Sequence, residues 1–578
     1  MKTKQIKNIF LLGASMLLAG LSTTSCDDSN EWAVDKSHDR LFRTNSLAVE
    51  AGLFEATVEF KRTTQTDYYI IEVSTDTLYD EIPMGGDNAL IYGEDKTIKN
   101  SPYTLTNLQK DTKYYIRIKS NDNNGKESKW AYTEKGYFKT QKEQIVTDFV
   151  KTENSVTFTW NPGHTITTVR VLTHNSSGEV IDTRDIDISN DQEALNNCTY
   201  TVTGLIPLTR YTIYLMNVND IKGFVELQTN AGIPESDRTV EISVENPLTQ
   251  KLINDYVLEA GVSESNKKAL TFTFPADGEW YVHKWNEETG EVTDEAGNLE
   301  IPDGLSVNFY GKGGGEKPIL HIGSLSESGE SGTTSLKLPG MHEAITFYNV
   351  VLDGTIYGTN LNTLSVLDTD ACSVGIYSFD NCEIRNYGRC LARLKSSACM
   401  INEVKVNNTL VYNIGGGNYS FMQAKKGEGT ITKITFSNST FYNFIAPMKS
   451  FMQFENSETI GEINLESCTF YNLIAEGQYF IDFKDGGSNI RIANTIVSKT
   501  LGTAKGGRNK TGTTEVTDSY KTNDWDQTKG NAIEGFTDYD GSAKSLFTSP
   551  DKGNFTIQDI LFEGYNKAGD PRWFTTIE

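Results

Sequence analysis

The chain has little positive charge, almost no helical periodicity and no hydrophobic run long enough to stay in a membrane, and each shortage excludes something. Its 53 Lys and Arg stand against 77 Asp and Glu, a formal net charge of -24. A field of that sign repels nucleic acid and other polyanions at long range, while leaving room for a local basic groove. The scarcity of helical spacing, beside 49 glycines, 27 tyrosines and 27 phenylalanines, points to an all-β protein. The apolar run from Ile9 to Leu21 is too short for a permanent transmembrane helix. At 578 residues the chain is long enough for three or more folding units.

That apolar run follows Lys2, Lys4 and Lys7 and leads to Ser22-Thr23-Thr24-Ser25-Cys26, which together have the three parts of a secretory signal. A cysteine directly after small residues resembles a bacterial lipoprotein signal, with Thr23 looser than the strict motif. Asp27-Asp28-Ser29-Asn30-Glu31 resembles the export tag of Bacteroidetes surface lipoproteins. The resemblance implies a signal over residues 1–25, lipidation of Cys26, a tether over 26–44, and an outer-membrane, cell-surface location held by acyl chains.

Beyond the tether, short alternating strands recur. ATVEF (56–60), YYIIEVS (68–74) and YYIRIKS (114–120) are echoed by SVTFTW (155–160), TVRVL (168–172) and YTIYLMN (211–217). Leu108, Thr112 and Tyr114 match Leu205, Thr209 and Tyr211 in spacing, and the two tyrosines lie 97 residues apart. A leucine six residues before a tyrosine is the tyrosine-corner arrangement of β-sandwiches. The pattern resembles tandem fibronectin type III domains over 45–142 and 143–230, with Trp160 as a core residue. These modules read as spacers.

Ala231-Gly-Ile-Pro-Glu-Ser-Asp has the composition of a hinge. Pro247 to Ala260 carries Leu248, Leu252, Ile253, Tyr256 and Val257 at helical spacing, and a helix there would close the open end of a sheet. Gly313-Gly314-Gly315 is a turn, since it lacks the Gly-Lys-Ser/Thr ending of a phosphate loop.

From Ile345 to Val497 a motif returns about every 30 residues, the signature of a solenoid: FYNVVLDGT (347–355), FDNCEIRNY (379–387), VNNTLVYNI (406–414), FSNSTFYNF (436–444), LESCTFYNL (465–473) and IANTIVSKT (492–500). Asn349, Asn381, Asn408, Asn438 and Asn494 share one slot, with Ser467 the exception, and Asn386, Asn413, Asn443 and Asn472 share another. Asparagine tolerates left-handed backbone and its amide bonds the amide stacked above it, so these columns are structural. Three short strands per repeat, each coil rising about 4.8 Å, make a parallel β-helix. Cys382 and Cys468 are small stacking residues three coils apart. Cys372 and Cys399 fall at nearly equivalent places in adjacent coils, a geometry that permits a disulfide.

The strand before each motif is the candidate binding face. Aligning LARLK (391–395), FMQAK (421–425), FMQFE (451–455) and FIDFK (480–484) by period-two alternation turns Ala392/Leu394, Met422/Ala424, Met452/Phe454 and Ile481/Phe483 inward. The outer face then carries three columns: Leu391, Phe421, Phe451 and Phe480; Arg393, Gln423, Gln453 and Asp482; Lys395, Lys425, Glu455 and Lys484. Aromatic rings suit the apolar faces of sugars and cations suit uronate carboxylates. A solvated face whose phenylalanines are covered by loops fits the same pattern. Between residues 363 and 505, thirteen Lys/Arg match thirteen Asp/Glu, so the repeats are near neutral while the rest is acidic.

Catalysis has less to work with. His283, His321 and His342 lie off this face. Arg393 and Asp482 are about 14 Å apart and cannot share a centre. Glu455 and Asp482, at about 8 Å, fall within the range of an inverting hydrolase. The converging carboxylates of calcium-dependent lyases are missing, so no metal or cofactor is expected, calcium being the one alternative left open without support in the sequence.

IPDGLSVNFYGKGGGEKPILHI (301–322) resembles the entry coils of pectin-lyase-like proteins, and Gly569-Asp570-Pro571-Arg572-Trp573 resembles the ending of uncharacterised Bacteroidetes surface lipoproteins that join fibronectin type III modules to a pectin-lyase-like β-helix (here 231–578). The resemblance covers nearly the whole mature chain. It implies a saccharide groove on the sheet described above, association with polysaccharide utilisation and its surface proteins, and a pectic or other uronate glycan as ligand. Three functions stay open: non-catalytic glycan binding, a divergent lyase or hydrolase, and a structural or adhesive role.

Overall fold

The computed structural model describes residues 40–175, 178–325, 333–416, 419–425, 427–444, 449–455, 461–527 and 532–574. Cys26, the signal and most of the tether lie outside the described residues. The chain divides into two units, Met1–Glu143 and Gln144–Glu578.

The first unit is an antiparallel sandwich. One sheet runs Leu47–Ala51, Ala56–Phe60, Tyr103–Leu105; the other runs Ala89–Tyr92, Tyr68–Ser74, Lys113–Asn121, Ala131–Lys139. This is the strand order of a fibronectin type III domain. Alternation puts Val58, Ile71, Val73, Ile116 and Ile118 in its core, and the Tyr114 hydroxyl accepts the Gln109 N–H at 2.9 Å, the expected tyrosine corner. Arg117 and Glu72 form a fully buried ion pair at 2.6 Å.

The second unit opens with another such sandwich, of sheets Thr199–Thr203, Ser155–Trp160, Val146–Lys151 and Val180–Asp187, Thr168–His174, Arg210–Asn217, Asp220–Gln228. The Ile206 N–H donates to the Tyr211 hydroxyl at 2.8 Å, and Trp160 is buried in the core. The stretch after it does not behave as its composition suggests. The Ala231 carbonyl accepts from Tyr310 at 2.7 Å and its N–H donates to Tyr348 at 2.5 Å. The Gly314 N–H donates to the Lys151 carbonyl at 3.2 Å. A Cβ on Gly313 would lie 2.5 to 2.9 Å from Asn230, Lys151 and Thr152, so glycine lets this turn of the β-helix seat against the sandwich. The expected hinge is a pinned joint.

The rest is a parallel β-helix of three sheets, with ten, ten and eight strands among the described residues. In each coil the chain passes from the first sheet, through the asparagine turn, to the second sheet, and then to the third. Inward residues stack on their own kind: Phe309, Phe347 and Phe379 have ring centroids 4.6 and 5.2 Å apart. Burying each such ring contributes about 1.5–3 kcal/mol relative to exposure. The asparagine columns are as expected. Asn349, Asn381, Asn408, Asn438 and Asn494 all have φ between 47° and 53°, and Ser467 adopts 52° in the same slot. The Asn381 amide donates to Asn349 at 2.9 Å and the Asn408 amide to Asn381 at 3.1 Å.

The entry helix spans Gln250–Ala260, three residues shorter at its start than the periodicity suggests, because Thr249 caps it by accepting the Leu252 N–H. It buries Ile253 and Tyr256 on the first coil. At the other end, the segment from Ala543 to Trp573 folds back over the outer face of the second sheet. Asp570 is buried there and accepts from Thr440 at 2.7 Å, while the Trp573 indole donates to the same hydroxyl at 2.8 Å. Cys382 and Cys468 are buried, and Cys372 and Cys399 face each other across adjacent strands as free thiols.

Candidate functional site

The third sheet is built from very short strands, Ala392–Leu394, Met422–Ala424 and Met452–Phe454, followed by Tyr479–Phe483 and Lys505–Asn509. The expected inward residues Ala392, Leu394, Met422, Ala424, Met452, Phe454, Ile481 and Phe483 are buried. The expected outward aromatic column is not outward. Leu391, Phe421, Phe451 and Phe480 are each 0% exposed, and the three rings stack 5.0 and 5.2 Å apart in the core. The reason is local: Leu391, Phe421 and Phe451 precede three-residue strands and lie in the bend, where period-two alternation does not apply and the turning backbone aims the side chain inward. These phenylalanines are scaffold, not ligand contacts.

The middle column does face out, and it is longer than the repeats reveal. Register pairs Asp368 with Arg393, then Arg393 with Gln423, Gln423 with Gln453, Gln453 with Asp482 and Asp482 with Arg508. It is a ladder whose charges are paired at each end. At one end Arg508 donates to both oxygens of Asp482, at 2.7 and 2.9 Å, and Tyr479 lies under Arg508 at 4.7 Å. In the middle, Gln423 is buried, and Gln453 accepts from Ser420 and donates to Glu455 at 3.2 Å.

At the other end the pairing is loose. The Asp368 side chain is 2% exposed and has three cations around it, Arg389 at 3.9 Å, Arg393 at 3.6 Å and Lys395 at 3.4 Å. None of these contacts is a hydrogen bond: Asp368 Oδ1 and Arg393 Nε are both buried without a hydrogen-bond partner. Both guanidinium groups rest against Tyr419, at 5.2 and 5.3 Å from its ring. A buried acceptor and donor left unmatched each cost about 1–3 kcal/mol, so this end is held less favourably than the Asp482–Arg508 end.

Lys395, Lys425, Glu455 and Lys484 follow the strands on one side, Lys395 also reaching Asp370 at 3.3 Å. Arg389, Tyr419, Lys449 and Lys505 flank them on the other; the Lys449 N–H donates to the Tyr419 carbonyl, which places the two in adjacent coils. The structure thus keeps Arg393, Lys395, Gln423, Lys425, Gln453, Glu455, Asp482 and Lys484 together on one face. Asp368, Arg389, Tyr419, Tyr479 and Arg508 belong with them and escape repeat alignment. Asp368 sits one coil before Arg393 in a strand of different composition, and Arg508 lies where the motif fades. Carrying the ladder one step past each end of the alignment would have found both. Asp482 is committed to Arg508, so the Glu455–Asp482 pairing is not poised as an acid and base. Among the described residues, no three His, Cys, Asp or Glu side chains group as metal ligands.

Two family models match parts of the chain: a domain of unknown function (DUF4957) over residues 340–444 and a domain of unknown function (DUF5123) over residues 463–573. The first spans the loose end of the ladder, the second the tight end and the folded-back C-terminal segment. Among solved structures the chain is similar to a two-domain fibronectin type III segment from chicken tenascin, at 16% identity and a TM-score of 0.19, covering 32% of this chain and 100% of that one. It is also similar to the FN1–FN3 domains of chicken CNTN1 (16% identity, TM-score 0.13, 32% of this chain and 64% of that one) and to the central fibronectin-III array of RIM-binding protein (15%, 0.12, 34% and 65%). No curated protein matches the chain.

Proposed function

We propose that this protein binds a polyanionic polysaccharide, without catalysis, along the outer face of the third sheet of its β-helix. The observation that carries this reading is the loose end of the ladder, where Arg389, Arg393 and Lys395 share one buried carboxylate that none of them hydrogen-bonds. The flanking Lys425, Lys449, Lys484 and Lys505 extend a cationic strip along the axis, in a chain whose net charge is -24. Such a strip draws an acidic polymer to one face while the rest of the surface repels it. Tyr419 and Tyr479 take the place that the buried phenylalanines cannot fill, as half-exposed rings beside cations.

Lipidation at Cys26 would hold the protein at the outer-membrane surface, with the two sandwiches as spacers and other polysaccharide-utilisation surface proteins as neighbours. Hydrolysis or elimination has weaker support, because Asp482, of the Glu455–Asp482 pair that strand spacing suggests, has both oxygens serving Arg508. The test is affinity electrophoresis in gels containing polygalacturonate or a neutral glucan. Retardation by polygalacturonate that fades with added salt is the expected result; migration unaffected by any acidic polymer would refute the reading.

A further inference from the structure

We infer that Cys372 and Cys399 are a site of covalent modification: they close into a disulfide that joins neighbouring strands of the first sheet and makes one coil of the β-helix a covalent ring. The inference is independent of the polysaccharide reading.

Register singles out this pair. Among the described residues six cysteines carry free thiols, and five of them are buried. Cys372 and Cys399 are direct partners across the parallel strands Cys372–Asp380 and Cys399–Asn407. Such strands lie about 4.8 Å apart, inside the range of about 4.4–6.8 Å between the Cα atoms of a disulfide. Both side chains are buried, and the two thiols hydrogen-bond each other. The other buried cysteines are held elsewhere. Cys382 donates to the Asp380 carbonyl and Cys468 to the Glu466 carbonyl, each at 3.3 Å, and Cys390 to the Ser365 hydroxyl at 3.1 Å.

The column also leaves room for the bond. Gly429 follows Cys399 in register, where a Cβ would lie 2.6 Å from that of Cys399, and Gly340 precedes Cys372. Each cysteine thus meets the other on one side along the axis and a glycine on the opposite side. A disulfide brings its Cβ atoms to about 3.8 Å, about 1 Å nearer than parallel strands hold them. Each cysteine is the first residue of its strand, so the turns before them, residues 369–371 and 396–398, can absorb that movement.

The chemistry has a direction. Hydrogen bonds from the Cys372 thiol and from the Ser396 and Lys395 N–H groups hold the Cys399 thiol below its ordinary range, outweighing burial. The bond to Cys399, with burial, pushes Cys372 up. Cys399 is therefore the attacking thiolate, and exposed Ala398 and Met400 on either side of it place it one residue from solvent. It attacks one sulfur of an oxidant that is itself a disulfide, and the oxidant's other sulfur leaves as a thiolate and takes up a proton. Cys372 then gives up its proton and attacks the Cys399 sulfur, expelling the oxidant's remaining sulfur. Two electrons and two protons pass from the cysteine pair to the oxidant, which departs as two thiols. The oxidising compartment that the N-terminal signal implies holds oxidants of this class.

The experiment equilibrates the full chain with excess oxidised glutathione, in urea just below the unfolding midpoint so that the turns open. The protein is then denatured, alkylated, digested and read by mass spectrometry. The expected product is a peptide linked through Cys372 and Cys399, released by reductant, with Cys198, Cys382, Cys390 and Cys468 alkylated. With urea removed, the oxidised chain should melt about 4 °C above the reduced one. Cys372→Ser should trap Cys399 as a mixed disulfide with glutathione, and Cys399→Ser should leave Cys372 unmodified. Alkylation of both Cys372 and Cys399 in the treated wild type, or linkage of either to another cysteine of the chain, would overturn the inference. Trapping in Cys399→Ser but not in Cys372→Ser would overturn the assignment of the attacker.

Discussion

The two ends of the ladder on the third sheet use the same chemistry to opposite effect. At Asp482 one arginine supplies two short, parallel hydrogen bonds and the charge is closed off. At Asp368 three cations supply none, and one oxygen of a buried carboxylate goes unmatched. Stacking in register explains the first, since a column of like charges would repel and alternation removes that cost. It does not require the second, where one cation would have sufficed. The unmatched pair beside the cationic strip is the feature on which the proposed ligand site rests.

The comparison can be tested first at the apolar layer that supports both ends. Phe451→Ala removes a ring stacked on Phe421 and Phe480 in the core and should destabilise the β-helix by about 3–5 kcal/mol in denaturant titration. An outward phenylalanine would instead cost almost nothing. Next in size, Arg508→Gln leaves Asp482, 5% exposed, without its bidentate partner and should cost about 2 kcal/mol. Arg393→Gln, at the loose end, should cost less than about 1 kcal/mol, because no hydrogen bond to Asp368 is lost. Equal costs at the two ends would erase the distinction drawn between them.

The smallest effect is in pH dependence, on the second sheet. Burial pushes the Asp353 carboxyl up, but hydrogen bonds from Arg385, the Thr355 N–H and Asn386 outweigh it and leave the group below its ordinary value. A carboxylate held low in the fold contributes stability at pH values above its unfolded pKa, and that contribution fades as pH falls through the lowered folded value. Thermal melts from neutral to acid pH should therefore show wild type losing its advantage over Asp353→Asn as the pH drops. A difference that stays constant across that range would contradict the pairing.

The scaffold was largely legible in the sequence, and the face was only half so. The asparagine columns could be read because a left-handed turn repeated at fixed spacing leaves few residue choices, and the tyrosine corners because they join residues close in sequence. Leu391, Phe421 and Phe451 were misread because alternation was carried through a bend ahead of strands only three residues long, whereas Phe480 is buried inside its own strand, Tyr479–Phe483. The joint at Ala231 was hidden because its partners, Tyr310 and Tyr348, lie far along the chain. Asp368 was missed for a related reason: the ladder is defined by register between coils, and its first rung falls outside the motif that made the coils visible.

The central claim, that ligand is met at the loose end and not the tight one, is tested most directly by calorimetric titration of oligogalacturonate into three proteins: wild type, the triple variant Arg389→Gln, Arg393→Gln, Lys395→Gln, and Arg508→Gln. The expected result is a loss of more than about ten-fold in affinity for the triple variant and a change within about two-fold for Arg508→Gln. Equal weakening in both, or none in the triple variant while wild type binds, would contradict it.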